Sequence, residues 1–117
     1  MSVRCLLVDD NAAFLDAAGT LLERQGLTVV GRATRTDDAR EQARELRPDV
    51  VVVDIVLGRE SGLELARELG SGADGPTVIL VSTHAEADFA DLIQSTAAAG
   101  FLPKSELSAE AILRLLN

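Results

Sequence analysis

An α/β fold of five β-α units, (βα)5, forming a doubly wound five-stranded parallel sheet, is what this sequence predicts. Three observations point to it. Short apolar runs without period-2 alternation recur at 3–8, 50–55 and 78–81, and each stops abruptly at polar residues. Runs of that kind suit strands buried on both faces, as in a parallel sheet covered by helices. Between them lie stretches with apolar residues at helical spacing, and three strand ends carry acids or a lysine. At 117 residues the chain holds one compact domain and not two.

The elements follow in order. After the first strand at 3–8, Phe14, Leu15, Ala18, Leu21 and Leu22 fall on one helical face, with Gly26 where a helix C-terminus favours glycine. Gly19 inside that helix costs about 1 kcal/mol relative to alanine, so tight packing is expected there. A weaker strand covers 27–31. Thr36 is expected to cap a second helix, Asp37 and Asp38 supply its acidic first turn, and Pro48 closes it. The third strand at 50–55 leads to a helix over 62–69 and a glycine-rich loop at 70–76. The fourth strand, 78–81, leads to a fourth helix over 86–99. A short fifth strand at 101–102 precedes a fifth helix, capped by Ser108, with Ala111, Ile112, Leu115 and Leu116 as its apolar face. Right-handed crossovers set the helices on both sides of the sheet.

Composition narrows the function. At 47% hydrophobic and 26% charged, the chain reads as a soluble globular domain. Eleven basic against 19 acidic residues leave a net charge of -8, which opposes independent DNA binding, a process dominated by phosphate neutralisation. A single cysteine excludes a disulfide framework, and Cys5 within a buried strand reads as a small hydrophobe. The first apolar run ends in two acids, unlike a signal peptide, and no run reaches the roughly 18 apolar residues of a membrane span. The expectation is a cytoplasmic single domain with no membrane partner.

Ligands of open parallel sheets collect at the carboxyl ends of the strands. Here Val8 is followed by Asp9 and Asp10, Val53 by Asp54, and Pro103 by Lys104, the only lysine in the chain. If the first, third and fifth strands lie as a doubly wound topology implies, these groups meet. Three carboxylates in one place repel by several kcal/mol even at an effective dielectric near 20. A hard divalent cation with oxygen ligands relieves that repulsion, and Mg²⁺ prefers one or two carboxylates with water and phosphate. Three acids, one ammonium and Mg²⁺ sum to zero formal charge, a pocket that admits a phosphoryl group.

Five segments in order carry a family resemblance: Leu-Leu-Val-Asp-Asp-Asn at 6–11, Val-Val-Val-Asp-Ile at 51–55, Ser-Gly-Leu-Glu-Leu at 61–65, Val-Ile-Leu-Val-Ser-Thr-His at 78–84 and Ala-Gly-Phe-Leu-Pro-Lys-Ser at 99–105. Over essentially the whole chain, 3–116, the sequence resembles a response-regulator receiver domain (CheY-like), nearest in character to NarL/FixJ-type two-component regulators. The resemblance implies the flavodoxin-like strand order 2-1-3-4-5. It implies that Asp54 is the nucleophile, accepting a phosphoryl group from the phosphohistidine of a sensor histidine kinase. Asp10 and Asp54 would hold Mg²⁺ directly, Asp9 through water, and Val56 through its backbone carbonyl. Lys104 and Ser82 would contact phosphoryl oxygens, and Phe101 would turn inward as Ser82 moves. The surface of the fourth helix and fifth strand would then switch an output, with transcription expected. Such a domain phosphorylates and dephosphorylates itself and is not a turnover enzyme. DNA would be reached only through an output domain outside these 117 residues.

The alternative is a receiver fold that signals by protein contact without phosphate, against which stands the complete acid, lysine and hydroxyl set. A Mg²⁺-dependent hydrolase resembling the haloacid dehalogenases needs a second acid two residues past its nucleophile, and Val56 and Asn11 occupy the candidate positions. The chain also departs from the family pattern. Gly58 replaces the usual proline and is expected to loosen the loop after Asp54. Ser105 replaces a proline that often follows the lysine. Apolar Val56, with His84 near the pocket, implies a persistent phosphorylated state. The fourth helix is acidic (Glu86, Asp88, Asp91) and the fifth has only Arg114 as a base, so a salt-bridged interface between them is poorly supplied, and the oligomeric state stays open, a homodimer through the first and fifth helices included.

Overall fold

The computed structural model describes residues 3–70, 75–83, 96 and 98–116. In chain order they form β1 (Arg4–Val8), α1 (Ala12–Arg24), β2 (Thr28–Ala33), α2 (Thr36–Leu46), β3 (Val50–Asp54), β4 (Val56–Leu57), β5 (Glu60–Ser61) and α3 (Gly62–Gly70). There follow β6 (Thr77–Ser82), β7 (Gly100–Pro103), a single 3-10 turn (Lys104–Glu106) and a C-terminal helix, α4 (Ala109–Leu116). The main sheet has the order β2-β1-β3-β6-β7, and every adjacent pair is parallel. Setting the two short strands β4 and β5 aside, this is the 2-1-3-4-5 order expected of the sequence. The expected helix over 86–99, with its acidic residues, and His84 lie outside the described residues except at Thr96, Ala98 and Ala99.

The absence of alternation in the strands has a direct cause: both faces are covered. Cys5, Leu7, Val50, Val52, Ile79 and Val81 face one cluster with Leu15, Ala18 and Leu22 of α1 and Ile112 of α4. Leu6, Val8, Val51, Val53, Val78 and Leu80 face the other, with Ala39 of α2 and Leu65 and Ala66 of α3. Burying each such valine or leucine stabilises the fold by roughly 1.5–3 kcal/mol, which anchors the sheet between its two helical layers. Its register then fixes which residues emerge together. Val8 pairs with Val53 and Asp54 with Val81, while Ser82 pairs with Pro103. The next residues along these strands are therefore brought to one edge.

Local expectations fare unevenly. Gly19 is buried, and a Cβ there would meet the guanidinium of Arg32, the end of a flexible side chain, so the packing expected at this glycine is with Arg32. Ser108 accepts a hydrogen bond from the Ala111 amide at 3.1 Å and begins α4 as expected. Thr36, expected as the cap of α2, is instead its first helical residue, and Arg35 at the cap position makes no side-chain cap bond. The Thr36 amide and hydroxyl both donate to the Glu60 carboxylate, each at 2.9 Å, so the capping group comes from β5. The loop expected to be loosened by Gly58 is an antiparallel hairpin, β4 against β5. Gly58 takes φ 62° at its turn, a conformation glycine adopts without steric penalty and the family's proline could not. Among the described residues no helix is long and apolar enough to cross a membrane.

Candidate functional site

Asp9 follows β1 directly and is 1% exposed. Its Oδ1 accepts the Asn11 amide at 2.9 Å, and Asn11 Oδ1 in turn accepts the Phe14 amide at 3.2 Å, capping α1. The same short segment thus fixes one carboxylate and starts a helix. Asp54 ends β3 and is buried, with its Oδ1 accepting the Val56 amide at 3.1 Å. Behind it, a Cβ at Gly62 would overlap the Asp54 carbonyl oxygen, so α3 starts hard against the strand end. Asp10 is exposed, and one oxygen from each of Asp9, Asp10 and Asp54 lies within 4.8 Å of the others.

Lys104 follows β7 and reaches across this edge. Its Nζ stands 2.6 Å from Asp9 Oδ2 and 2.9 Å from Asp54 Oδ2, and 4.4 Å from the centroid of the Phe14 ring. Asp9 Oδ2 is fully buried and has no aligned hydrogen bond, so its contact with the ammonium is that of an ion pair. Burial pulls the ammonium's pKa down, but the Asp9 and Asp54 carboxylates held against it outweigh that, and the balance holds it above the usual lysine range. Ser82 ends β6 and is 2% exposed. Phe101 in β7 is buried in the cluster beneath α2 and α3.

The sheet therefore brings together the strand-end residues singled out in the sequence: Asp9, Asp10, Asp54 and Lys104 in contact or near it, with Ser82 at the end of the neighbouring strand. Val56 sits in β4 immediately beyond Asp54, with its side chain 48% exposed. Two surface cavities of about 590 and 610 Å³ include none of these residues. Sequence reasoning did not find Phe14 beside the ammonium. Its helical spacing assigned it to the core, and a contact with a residue ninety positions away leaves no local trace. Asn11 was findable, since an asparagine before an apolar-periodic run is a helix-start signal.

The donor set fits a hard cation. Three carboxylates supply oxygens at close range, the ammonium offsets only one of their charges, and all candidate ligands are oxygen, the chemistry that Mg²⁺ and Ca²⁺ favour.

A five-stranded parallel sheet with helices on both faces and an acidic, lysine-bridged cluster at its carboxyl edge defines a doubly wound α/β domain. The chain belongs to the response regulator receiver domain family, whose profile matches residues 5–117. It is 32% identical over 111 residues to the response regulator GacA of Pseudomonas viridiflava, a match covering 94% of this chain and 52% of that protein. The signal receiver domain of NarL from Mycobacterium tuberculosis superposes with a TM-score of 0.85 at 27% identity, covering 98% of this chain and 96% of that one. A Burkholderia pseudomallei response regulator, solved with a phosphorylated aspartic acid, a calcium ion and citrate, gives a TM-score of 0.84 at 28% identity, covering 99% and 67%. Other curated relatives are protein-glutamate methylesterases. The chain spans about half the length, or less, of the curated relatives it matches.

Proposed function

We propose that this domain is the phosphoacceptor of a two-component system and that Asp54 is the residue phosphorylated. The observation that carries this reading is the ammonium of Lys104 bridging Asp9 and Asp54 at 2.6 and 2.9 Å. An Asp54 carboxylate oxygen attacks the phosphorus of a kinase phosphohistidine. An O–P bond forms, the P–N bond breaks, and the imidazole leaves with the electron pair and recovers a proton from solvent. Phosphoryl transfer asks little more of a protein than an in-line nucleophile and charge against the transferring oxygens. Lys104 supplies a compact positive charge and Ser82 a hydroxyl donor. Asp10, Asp54, Asp9 through water and the Val56 carbonyl would hold Mg²⁺, which when bound adds two positive charges beside the phosphoryl oxygens.

The partner is a sensor histidine kinase, and the setting is the cytoplasm. The output is proposed to be transcription through a further domain, as the likeness to a transcriptional regulator of Pseudomonas aeruginosa supports, with Ser82 and Phe101 carrying the change toward β7. DNA contact would belong to that further domain, and any homodimer would use α1 and α4.

Incubation with acetyl phosphate and Mg²⁺, followed by intact mass, tests the assignment. Wild type is expected to gain one phosphoryl group and Asp54→Asn none; equal adducts on both would refute it. With apolar Val56 offering no group to orient an attacking water, the adduct is expected to outlast a chase of seconds.

A further inference from the structure

We propose that Phe14 is a positioning residue of the phosphoryl-transfer site, its ring holding the Lys104 ammonium in place above the Asp9–Asp54 pair. This deepens the phosphoacceptor role of Asp54 and rests on it. An ammonium 4.4 Å from a ring centroid lies well within the roughly 6 Å over which an aromatic face attracts a cation. The ring therefore contacts the same Nζ that two carboxylates hold at 2.6 and 2.9 Å.

The chemistry explains why lysine needs such help. Its four-carbon stem is flexible and its charge is a point, with none of the planar preorganisation of a guanidinium. When a phosphoryl group arrives, the ammonium must give up part of its carboxylate contacts to meet a phosphoryl oxygen. Attraction to a ring face does not depend on which N–H points where, so the ammonium can turn while its position is kept. The ring is also anchored to the acid it serves. Asp9 Oδ1 accepts from the Asn11 amide, and Asn11 Oδ1 accepts from the Phe14 amide, so one turn of chain sets both carboxylate and ring. Phe14 is only partly buried against the core, which leucine could cover equally well. What leucine could not supply is the face.

Lys104 is the sole lysine, so lysine-selective ¹³C labelling reports one side chain. The experiment compares wild type, Phe14→Leu and Phe14→Tyr, with Phe14→Met as a second apolar variant should leucine fold poorly. Initial rates of adduct formation with acetyl phosphate and Mg²⁺ are read beside the Lys104 Cε–Hε resonance and the Mg²⁺ dissociation constant. Loss of the ring is expected to slow phosphorylation by about 3- to 10-fold and to move the lysine resonance off its ring-shifted position. Tyrosine is expected to keep both, and Mg²⁺ affinity is expected to hold within about twofold in every variant. Leucine at the wild-type rate, or tyrosine slowed as much as leucine, would overturn the positioning role while leaving Asp54 as acceptor. No adduct on wild type would remove the acceptor role, and the positioning role with it.

Discussion

Lys104 enters the strand-end cluster at the expense of hydration and gains two carboxylates in return. Its folded pKa is raised because Asp9 and Asp54 outweigh the opposing effect of burial. The sign follows from linkage. The ion-pair stability is fully present below the unfolded lysine value of about 10.4 and is lost as pH rises through the folded value. Thermal melts without metal should therefore show a loss above about pH 10.4 that Lys104→Met lacks. At neutral pH the same substitution leaves buried Asp9 Oδ2 facing Asp54 uncompensated. A fully buried pair broken this way costs about 3–5 kcal/mol, and since the lysine side chain keeps 16% exposure the expected loss is nearer 2 kcal/mol. Mg²⁺ should restore part of it, and melts of the variant with and without the ion check this. At this scale the sequence was most legible where charged residues coincide with strand ends. Asp9, Asp10, Asp54 and Lys104 each follow an apolar run, so position along the chain already implied position in space. Phe14 sits inside a helical period, and periodicity assigns it only a face.

Elements were legible where burial is two-sided. Val50 to Val53 could hardly be anything but a central strand, and Leu6, Leu7 and Val8 follow the same logic. Six residues between Ile55 and Gly62 are too few for any period, so the β4–β5 hairpin left no signature. The cap of α2 misled for a related reason. Thr36 has the chemistry of a cap, but Glu60, 24 residues away, takes both of its donors. Those bonds hold the Glu60 carboxyl below its usual range, so the clasp between hairpin and helix loosens as pH falls through that value. The hairpin is thus pinned at both ends, by Glu60 to α2 and by the Gly62 amide to the Ile55 carbonyl at 2.9 Å. Gly62→Ala tests how little slack remains. Its Cβ would meet backbone, the Asp54 carbonyl and the Ile55 carbonyl, neither of which can rotate away. Overpacking of this kind costs about 1–3 kcal/mol, and α3 must lift from the end of β3 to relieve it. A lowered melting temperature together with weaker Mg²⁺ binding is expected; an unchanged melt would show that the helix start has room to shift.

Across the whole molecule, one thiol reports on the sheet. Cys5 is fully buried in β1, between β2 and β3, and burial, helped by Asp49, pushes its pKa up to about 12. In the native state it is neither exposed nor ionised near pH 8, whereas in the unfolded chain it titrates in the ordinary thiol range. Labelling by a thiol reagent therefore proceeds through opening of the sheet, and its rate scales with the fraction unfolded when reclosing outpaces reaction. A ligand bound only by the folded state lowers that fraction by 1 + [L]/Kd, about 100-fold when free ligand stands at 100 times Kd. The net charge of -8 adds a competing effect, since any salt screens the self-repulsion of an acidic surface. Labelling should accordingly be compared in Mg²⁺ and in NaCl at matched ionic strength. If the three acids hold the ion, Mg²⁺ slows labelling far beyond the NaCl control, and Asp54→Asn, which lacks one of the three carboxylates, loses most of that excess. Equal protection by both salts would reduce the strand-end acids to ordinary surface charge.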